Sequence, residues 1–240
     1  MMPSPFEVAL LLWSVAYLLL PLRVWLRVRI PAGYHLETVS ADELFSTSED
    51  APEVRRWLVR MGFEELACAR MPGKPSRVAF ALYCLPGDAS AAVLATAESG
   101  SHAACYLEFT QSFVDGSRLV VNSNPLPGVY PALPGKQVWR YPDRSPAELH
   151  SAFLHLRDRC RARPVPTLDP AQPLLAVEDA LARESRLLVE AGCLVDPPGP
   201  DGHHLRLPAA YAFSWRMLWP VKGLRDRWQR IAARRALDAT

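Results

Sequence analysis

The chain has 240 residues, half of them apolar and 22% charged, which is the composition of a globular protein with a sizeable core. The net charge of +2 excludes a surface that binds polyanions on every side. The cysteines are odd in number and contain no C-x-x-C pair, so we expect neither a disulfide framework nor a zinc site, and infer a reducing compartment. They are Cys68, Cys84, Cys105, Cys160 and Cys193.

Residues 1–30 are predicted to form a transmembrane anchor. Residues 8–22 carry no charge, and Ser4-Pro5-Phe6-Glu7 has the capping-box pattern that begins a helix. A helix from there to about Arg27 is about 35 Å long, enough for the ~30 Å hydrocarbon core of a bilayer. A cleaved signal peptide is disfavoured because no basic residue precedes the run, and a buried core helix is disfavoured because the run is apolar on every face.

The charges that flank this helix predict its orientation. Arg23, Arg27 and Arg29 follow the apolar run, whereas no Lys or Arg precedes it. The positive-inside rule then places the N-terminus outside the cell (inner) membrane and the remaining chain in the cytoplasm. Trp25 and the three arginines are expected at the membrane interface.

The segment 31–50 shows no sustained period of apolar residues and is interpreted as a juxtamembrane linker.

Residues 51–163 are predicted to form an α+β soluble domain. Its first helix is indicated by Val54, Trp57, Leu58 and Met61, which lie on one face, with Asp50 as its cap and Gly62 at its end.

After Gly62 the period at which apolar residues recur changes from 3.6 to 2 residues. This change predicts five strands joined by short turns. This pattern indicates an antiparallel β-meander with one face covered by helices. We expect an edge strand from Lys136 to Tyr141 and, after the capping box that begins at Ser145, a helix to about Arg163 that packs on the sheet. The predicted strands are 63–70, 78–84, 91–98, 105–113 and 118–123.

Residues 164–208 are interpreted as a helix-plus-hairpin extension. The helix is predicted from about Leu174 to Gly192, and a hairpin joins 194–195 to 204–207. Such an arrangement is also found at the end of a winged-helix module, so a membrane-tethered winged-helix-like regulator is one alternative. The acidic residues of the helix disfavour it, and nucleic acid is not an expected partner.

Residues 209–240 are predicted to form a basic amphipathic tail. Apolar residues recur at spacings of three and four, and most basic residues lie off that stripe. We expect this tail to contact the bilayer and its anionic lipid headgroups; docking on the soluble domain is the alternative. The residues assigned to the interface are Trp215, Trp219, Lys222, Arg225 and Trp228.

The chemistry-bearing residues form no recognisable catalytic motif. His102 and Cys105 lie near a turn and suggest a Cys/His pair, while Glu108 and Asn122 could line the same pocket. These four residues support one alternative function, a membrane-anchored hydrolase. No cofactor and no metal is expected.

The sequence therefore predicts a membrane-tethered cytoplasmic domain that binds a partner protein or ligand. Its predicted architecture is a single N-terminal transmembrane helix, an antiparallel meander with covering helices, and a C-terminal amphipathic helix.

Overall fold

The computed structural model describes residues 4–45, 48–71, 77–99, 102–125 and 132–238. The helices are α1 (Pro5–Arg27), α2 (Ala41–Phe45), α3 (Ala51–Arg60), α4 (Pro146–Asp158), α5 (Pro173–Glu190), α6 (Leu207–Met217) and α7 (Val221–Asp238). The strands are β1 (Arg29–Ile30), β2 (Glu37–Thr38), β3 (Glu64–Met71), β4 (Arg77–Cys84), β5 (Ala91–Ser99), β6 (His102–Phe113), β7 (Arg118–Asn122), β8 (Lys136–Arg140), β9 (Pro164–Val165) and β10 (His203–His204). The predicted α+β class is confirmed.

The described residues form two compact units. The anchor unit comprises the described residues of Met1–Gly33 and Ala182–Trp228, and the sheet unit those of Tyr34–Leu126, Ala132–Leu181 and Gln229–Thr240. Helices α5 and α7 each contribute residues to both units.

The sheet unit is built on strands in the order β2-β3-β4-β5-β6-β7-β8, and β9 pairs with one end of β6. Strands β3 to β7 form the predicted antiparallel meander. Strand β8 is the edge strand that the sequence predicts, but it runs parallel to β7. A parallel neighbour requires a long return connection, and residues 123–135 between the two strands supply it.

One face of the sheet is covered by α3 and α4. The capping box of α4 is present, because Ser145 and Glu148 exchange the expected hydrogen bonds. Helix α4 packs on the sheet as predicted, and it buries Leu149, Ala152, Phe153 and Leu156. The helix ends at Asp158 rather than near Arg163, because the chain leaves it to form β9 against β6.

The segment interpreted as a linker carries β2 and α2. Leu36 and Leu44 from this segment are buried in the sheet unit. They belong to the two core clusters that lie on opposite faces of the sheet. These elements are too short to show a period, so their burial was not visible in the sequence. Asp50 occupies the position before α3 but makes no side-chain cap, whereas Gly62 has the predicted left-handed conformation, with φ +85°.

His150 of α4 lies in a cluster of aromatic rings. Its ring centroid is 5.0 Å from that of Phe109, 5.7 Å from Phe63 and 5.9 Å from Trp57. Burial lowers the pKa of the imidazole, and the positive charge of Arg157 lowers it further. The neutral imidazole is therefore the form that the folded protein favours.

We expect His150 to make the folded protein sensitive to acid. Since its pKa is lower in the folded state than its ordinary value of 6.5, its stabilising contribution is complete above pH 6.5. That contribution is lost as the pH falls from 6.5 through the lowered pKa, because protonation then favours the unfolded chain. In His150→Phe, the urea midpoint of the detergent-solubilised protein should fall less between pH 7.5 and 5.5 than it does in the wild type.

The control for this experiment is His35→Phe, because the side chain of His35 is 95% exposed. It should retain the wild-type difference between the two pH values. An unchanged pH difference in His150→Phe would show that another group carries the acid sensitivity.

Candidate membrane interface

Helix α1 is closed at both ends by side chains from its own flanks. The predicted capping box is present: the Ser4 backbone N–H donates to Glu7 at 2.7 Å, and the Glu7 N–H donates to the Ser4 hydroxyl at 3.3 Å. At the other end the guanidinium of Arg29 donates to the carbonyls of Leu26, at 2.7 Å, and Val28, at 3.0 Å. The helix thus satisfies terminal backbone groups that would otherwise need water.

The apolar side chains of α1 are mostly not covered by protein. By length and composition the helix can cross a membrane, and only 7% of its most apolar stretch is buried. Leucines on several sides are more than half exposed; they are Leu11, Leu12, Leu18, Leu19 and Leu26. Arg23 and Arg27 are exposed near the C-terminal end of the helix.

Helix α6 packs against α1 within the anchor unit. The Tyr17 hydroxyl donates to the carbonyl of Trp219 at 2.7 Å, and the indole N–H of Trp13 donates to the same carbonyl at 3.4 Å. In return, the indole N–H of Trp215 donates to the carbonyl of Tyr17 at 3.0 Å. Three aromatic side chains therefore connect the end of α6 to the middle of α1.

Two small residues of α6 are buried. Ala210 and Ser214 are buried and lie one turn apart on α6, and the Ser214 hydroxyl donates to the Ala210 carbonyl at 2.8 Å. A pair of small residues at this spacing is typical of helix contacts in lipid, where backbones pack without long side chains between them. This spacing was the signal in the sequence that could have predicted the pairing.

Strands β1 and β10 join the ends of the two helices. Arg29 pairs with His204 and Ile30 with His203, directly after α1 and directly before α6. The hairpin predicted from 194–195 to 204–207 is present as bridges that join Leu194 to Leu205 and Gly199 to Gly202. The sequence did not predict that this hairpin also pairs with β1.

The tail is divided between α6 and α7. Residues 218–220 interrupt the helix, and the described residues before Gln229 belong to the anchor unit. There Trp219 is 76% and Trp228 71% exposed. The last turns of α7 instead dock on the sheet unit, where Ala233 is buried and its carbonyl accepts a hydrogen bond from Tyr141 at 3.0 Å. The end of the tail therefore docks on the sheet unit.

The residues assigned to the interface by sequence all lie in the anchor unit. Trp25 and Trp215 are exposed, Arg29 caps α1, and Lys222 forms an ion pair with Asp226 at 3.7 Å. Arg225 is half-buried in the first turns of α7. The residues that sequence reasoning missed are Trp13, Tyr17, Ala210 and Ser214.

Among the residues assigned to a speculative pocket, Cys105 is separated from Glu108 and Asn122. Cys105 faces the core cluster beneath α3 and α4, whereas Glu108 lies on the opposite face of β6 because side chains alternate along a strand. Asn122 donates to the Glu108 carboxylate at 3.3 Å, so these two residues do pair. His102 begins β6, and its side chain lies outside the described part of the structure.

The thiol of Cys105 has the wrong electrostatic surroundings for a nucleophile. Burial raises its pKa, whereas a reactive cysteine requires a lowered one. Burial likewise raises the pKa of Cys84 and Cys160, and raises that of Cys68 to about 12. Among the described residues, no group of three or more His, Cys, Asp or Glu side chains is arranged to hold a metal ion.

The helix and hairpin that suggested a winged-helix module are present in that order. The tip of the hairpin, residues 196–202, carries two aspartates and no basic residue. A wing that contacts phosphates needs Lys or Arg side chains at its tip.

Comparison with protein-family models, with curated proteins and with solved structures finds no match for this chain. Its function therefore has to be inferred from its own residues.

We expect Gly202→Ala to separate β10 from β1. Gly202 has φ +108°, and a Cβ atom there would overlap the carbonyl of Ile30. The strain should cost about 1–3 kcal/mol and make the chain around residues 29–31 more sensitive to limited proteolysis in detergent.

The matched control is Gly199→Ala in the same hairpin. Its Cβ atom would meet only ordinary contacts at 3.7 Å. Cleavage at 29–31 should stay at the wild-type rate in this control. Equal rates in both variants would show that the close approach to Ile30 does not hold the strands together.

Proposed function

We propose that this protein is a single-pass, membrane-tethered binding domain of the cell (inner) membrane. Helix α1 crosses the bilayer with the N-terminus outside, and the sheet unit lies in the cytoplasm and binds a partner protein. The observation that supports this most directly is the uncovered apolar surface of α1.

The free energy of solvation favours lipid as the surroundings of α1. Full burial of a leucine side chain is worth about 1.5–3 kcal/mol relative to water. Many exposed leucines on one helix would therefore make exposure to water costly. Hydrocarbon removes this cost, and a helix satisfies its backbone hydrogen bonds internally as lipid requires.

The orientation is supported by the exposed arginines at the C-terminal end of α1. Arg23 and Arg27 are exposed, so their charged ends can reach cytoplasmic headgroups. The guanidinium of Arg29 lies over the last carbonyls of the helix, where the helix dipole also favours a positive charge. No basic residue precedes the apolar run on the other side.

The first half of α7 supports contact with anionic lipid headgroups. It combines the exposed apolar residues Leu224 and Trp228 with the basic residues Lys222, Arg225 and Arg227. A basic residue near an anionic leaflet contributes about 1 kcal/mol of attraction. This half-helix therefore has the composition of an interfacial segment.

The edge at β8 is the surface that we propose for the partner protein. Strand β8 ends the sheet, so no described strand pairs with its outer side. Val138 in the middle of β8 is 47% exposed. An open edge with an exposed apolar side chain suits the addition of an extended segment from another protein.

The orientation can be measured with reporters fused to the C-terminus of the full chain. A fluorescent protein that folds in the cytoplasm should be bright, and alkaline phosphatase, which folds outside, should be inactive. The double variant Arg23→Gln and Arg27→Gln should raise phosphatase activity, because it removes two charges that hold the C-terminal side inside. An active phosphatase on the wild-type chain would refute the orientation.

The partner surface can be tested by affinity purification from detergent-solubilised membranes. A protein partner should co-purify in stoichiometric amount with the wild type and be lost with Val138→Arg. The control is Val114→Arg, because Val114 is 61% exposed at the turn between β6 and β7 in the same unit. Equal recovery with both variants would exclude the β8 edge as the docking surface.

A further inference from the structure

We propose that α6 also lies in lipid, as a re-entrant helix that enters the cytoplasmic leaflet beside α1 and turns back at Trp219-Pro220. This inference rests on the proposed crossing of the membrane by α1. It makes the membrane-embedded part of the protein a helix pair instead of a single helix, with acyl chains as the partner of its exposed surface.

The hydrogen bonds between the helices fix the depth that α6 reaches. Tyr17 lies twelve residues after Pro5 and ten before Arg27. At 1.5 Å per residue it is about 18 Å from one end of α1 and about 15 Å from the other. The Trp219 carbonyl binds the Tyr17 hydroxyl, so the tip of α6 lies near the middle of the helix that spans the bilayer.

The length and composition of α6 suit one leaflet. Its eleven residues span about 16 Å, which matches half of the ~30 Å hydrocarbon core and is too short to cross it. From Leu207 to Val221 the one charged residue is Arg216. The exposed apolar side chains of this stretch are Leu207, Trp215, Met217, Trp219 and Val221, with Trp219 the most exposed.

The backbone carbonyls of residues 218–220 at the tip accept hydrogen bonds from protein groups. The Leu218 carbonyl accepts from the Lys222 N–H at 2.8 Å, and the Pro220 carbonyl accepts from the Leu224 N–H at 3.0 Å. The Trp219 carbonyl accepts from Tyr17 and Trp13 of α1, and proline has no N–H to satisfy. Irregular backbone is tolerated at membrane depth when protein groups replace water in this way.

The charged residues that follow the tip would cost free energy in hydrocarbon, and the structure reduces that cost. A charged residue at the centre of a membrane helix costs about 2.5–3.5 kcal/mol on insertion scales. Lys222 lies 3.7 Å from Asp226, so the first basic residue is paired within its own helix. Arg225 lies further from the tip, and its long stem can carry its charged end toward the headgroups.

The depth of the tip can be measured with a fluorescent amino acid introduced by nonsense suppression in the full chain. The protein is reconstituted into vesicles of phosphatidylethanolamine and phosphatidylglycerol, and the probe is placed at position 219, 12 or 59. Leu12 on α1 is the lipid reference, and Val59 on α3 is the water reference, since both side chains are exposed. Quenching is measured with iodide in the buffer and with lipids labelled deep or shallow in the acyl chain.

The proposal expects position 219 to behave like position 12. Iodide should quench it about tenfold less than position 59, because an ion is excluded from hydrocarbon, and the deep lipid quencher should exceed the shallow one. Strong iodide quenching at 219 with protection at 12 overturns the re-entrant helix and leaves the anchor intact. Iodide quenching at position 12 overturns the membrane crossing itself.

A second variant tests the hydrogen bond that holds the tip. Tyr17→Phe removes the donor to the Trp219 carbonyl, so iodide quenching at 219 should rise severalfold while position 12 stays protected. Tyr211→Phe, on α6 beside Trp215, is the matched control and should leave both positions unchanged. An unchanged depth in Tyr17→Phe would overturn the assigned role of this contact.

Discussion

The uncovered apolar surface of α1 is the constraint on which the proposed function of the protein depends. A helix of this length, apolar on most sides, is stable where hydrocarbon replaces water and where its own hydrogen bonds satisfy the backbone. The capping groups at its two ends, Ser4 with Glu7 and Arg29, fit the same requirement, because they supply partners where the helix stops. The lipid contact and the display of the sheet unit that we propose depend on this solvent preference, whereas the proposed orientation depends on the arginines at the C-terminal end of α1.

The anchor unit brings together two distant parts of the chain. Strand pairing between β1 and β10 brings the start of α6 to the end of α1, and Tyr17 and Trp215 then connect the two helices further along. Ala210 and Ser214, two small residues one turn apart on α6, are both buried. In the sheet unit, by contrast, the sheet buries apolar side chains on both of its faces. One face is covered by α3 and α4, and the other by the segment that contains Leu36.

Several features of the fold could be predicted because they depend on neighbouring residues. Alternation gave strands β3 to β7 within about two residues, except at the start of β6, and the Ser145 capping box gave the start of α4. The two-residue strands β1, β2 and β9 were missed because no period can be read from two residues. The parallel pairing of β8 was missed because the direction of a strand depends on the path of its connection, not on its own residues.

The sequence by itself determined the apolar helix, the capping boxes of α1 and α4, the α+β class and the basic composition of the tail, since each depends on residues within a few positions of one another. Only the tertiary structure decided that α6 packs on α1, with Tyr17 and Trp219 joined across 202 positions. It also separated Cys105 from Glu108 on opposite faces of β6 and divided the tail into an exposed half and a docked end. The physical reason is that pairing between remote segments depends on shape and on unsatisfied polar groups, which a local pattern does not encode.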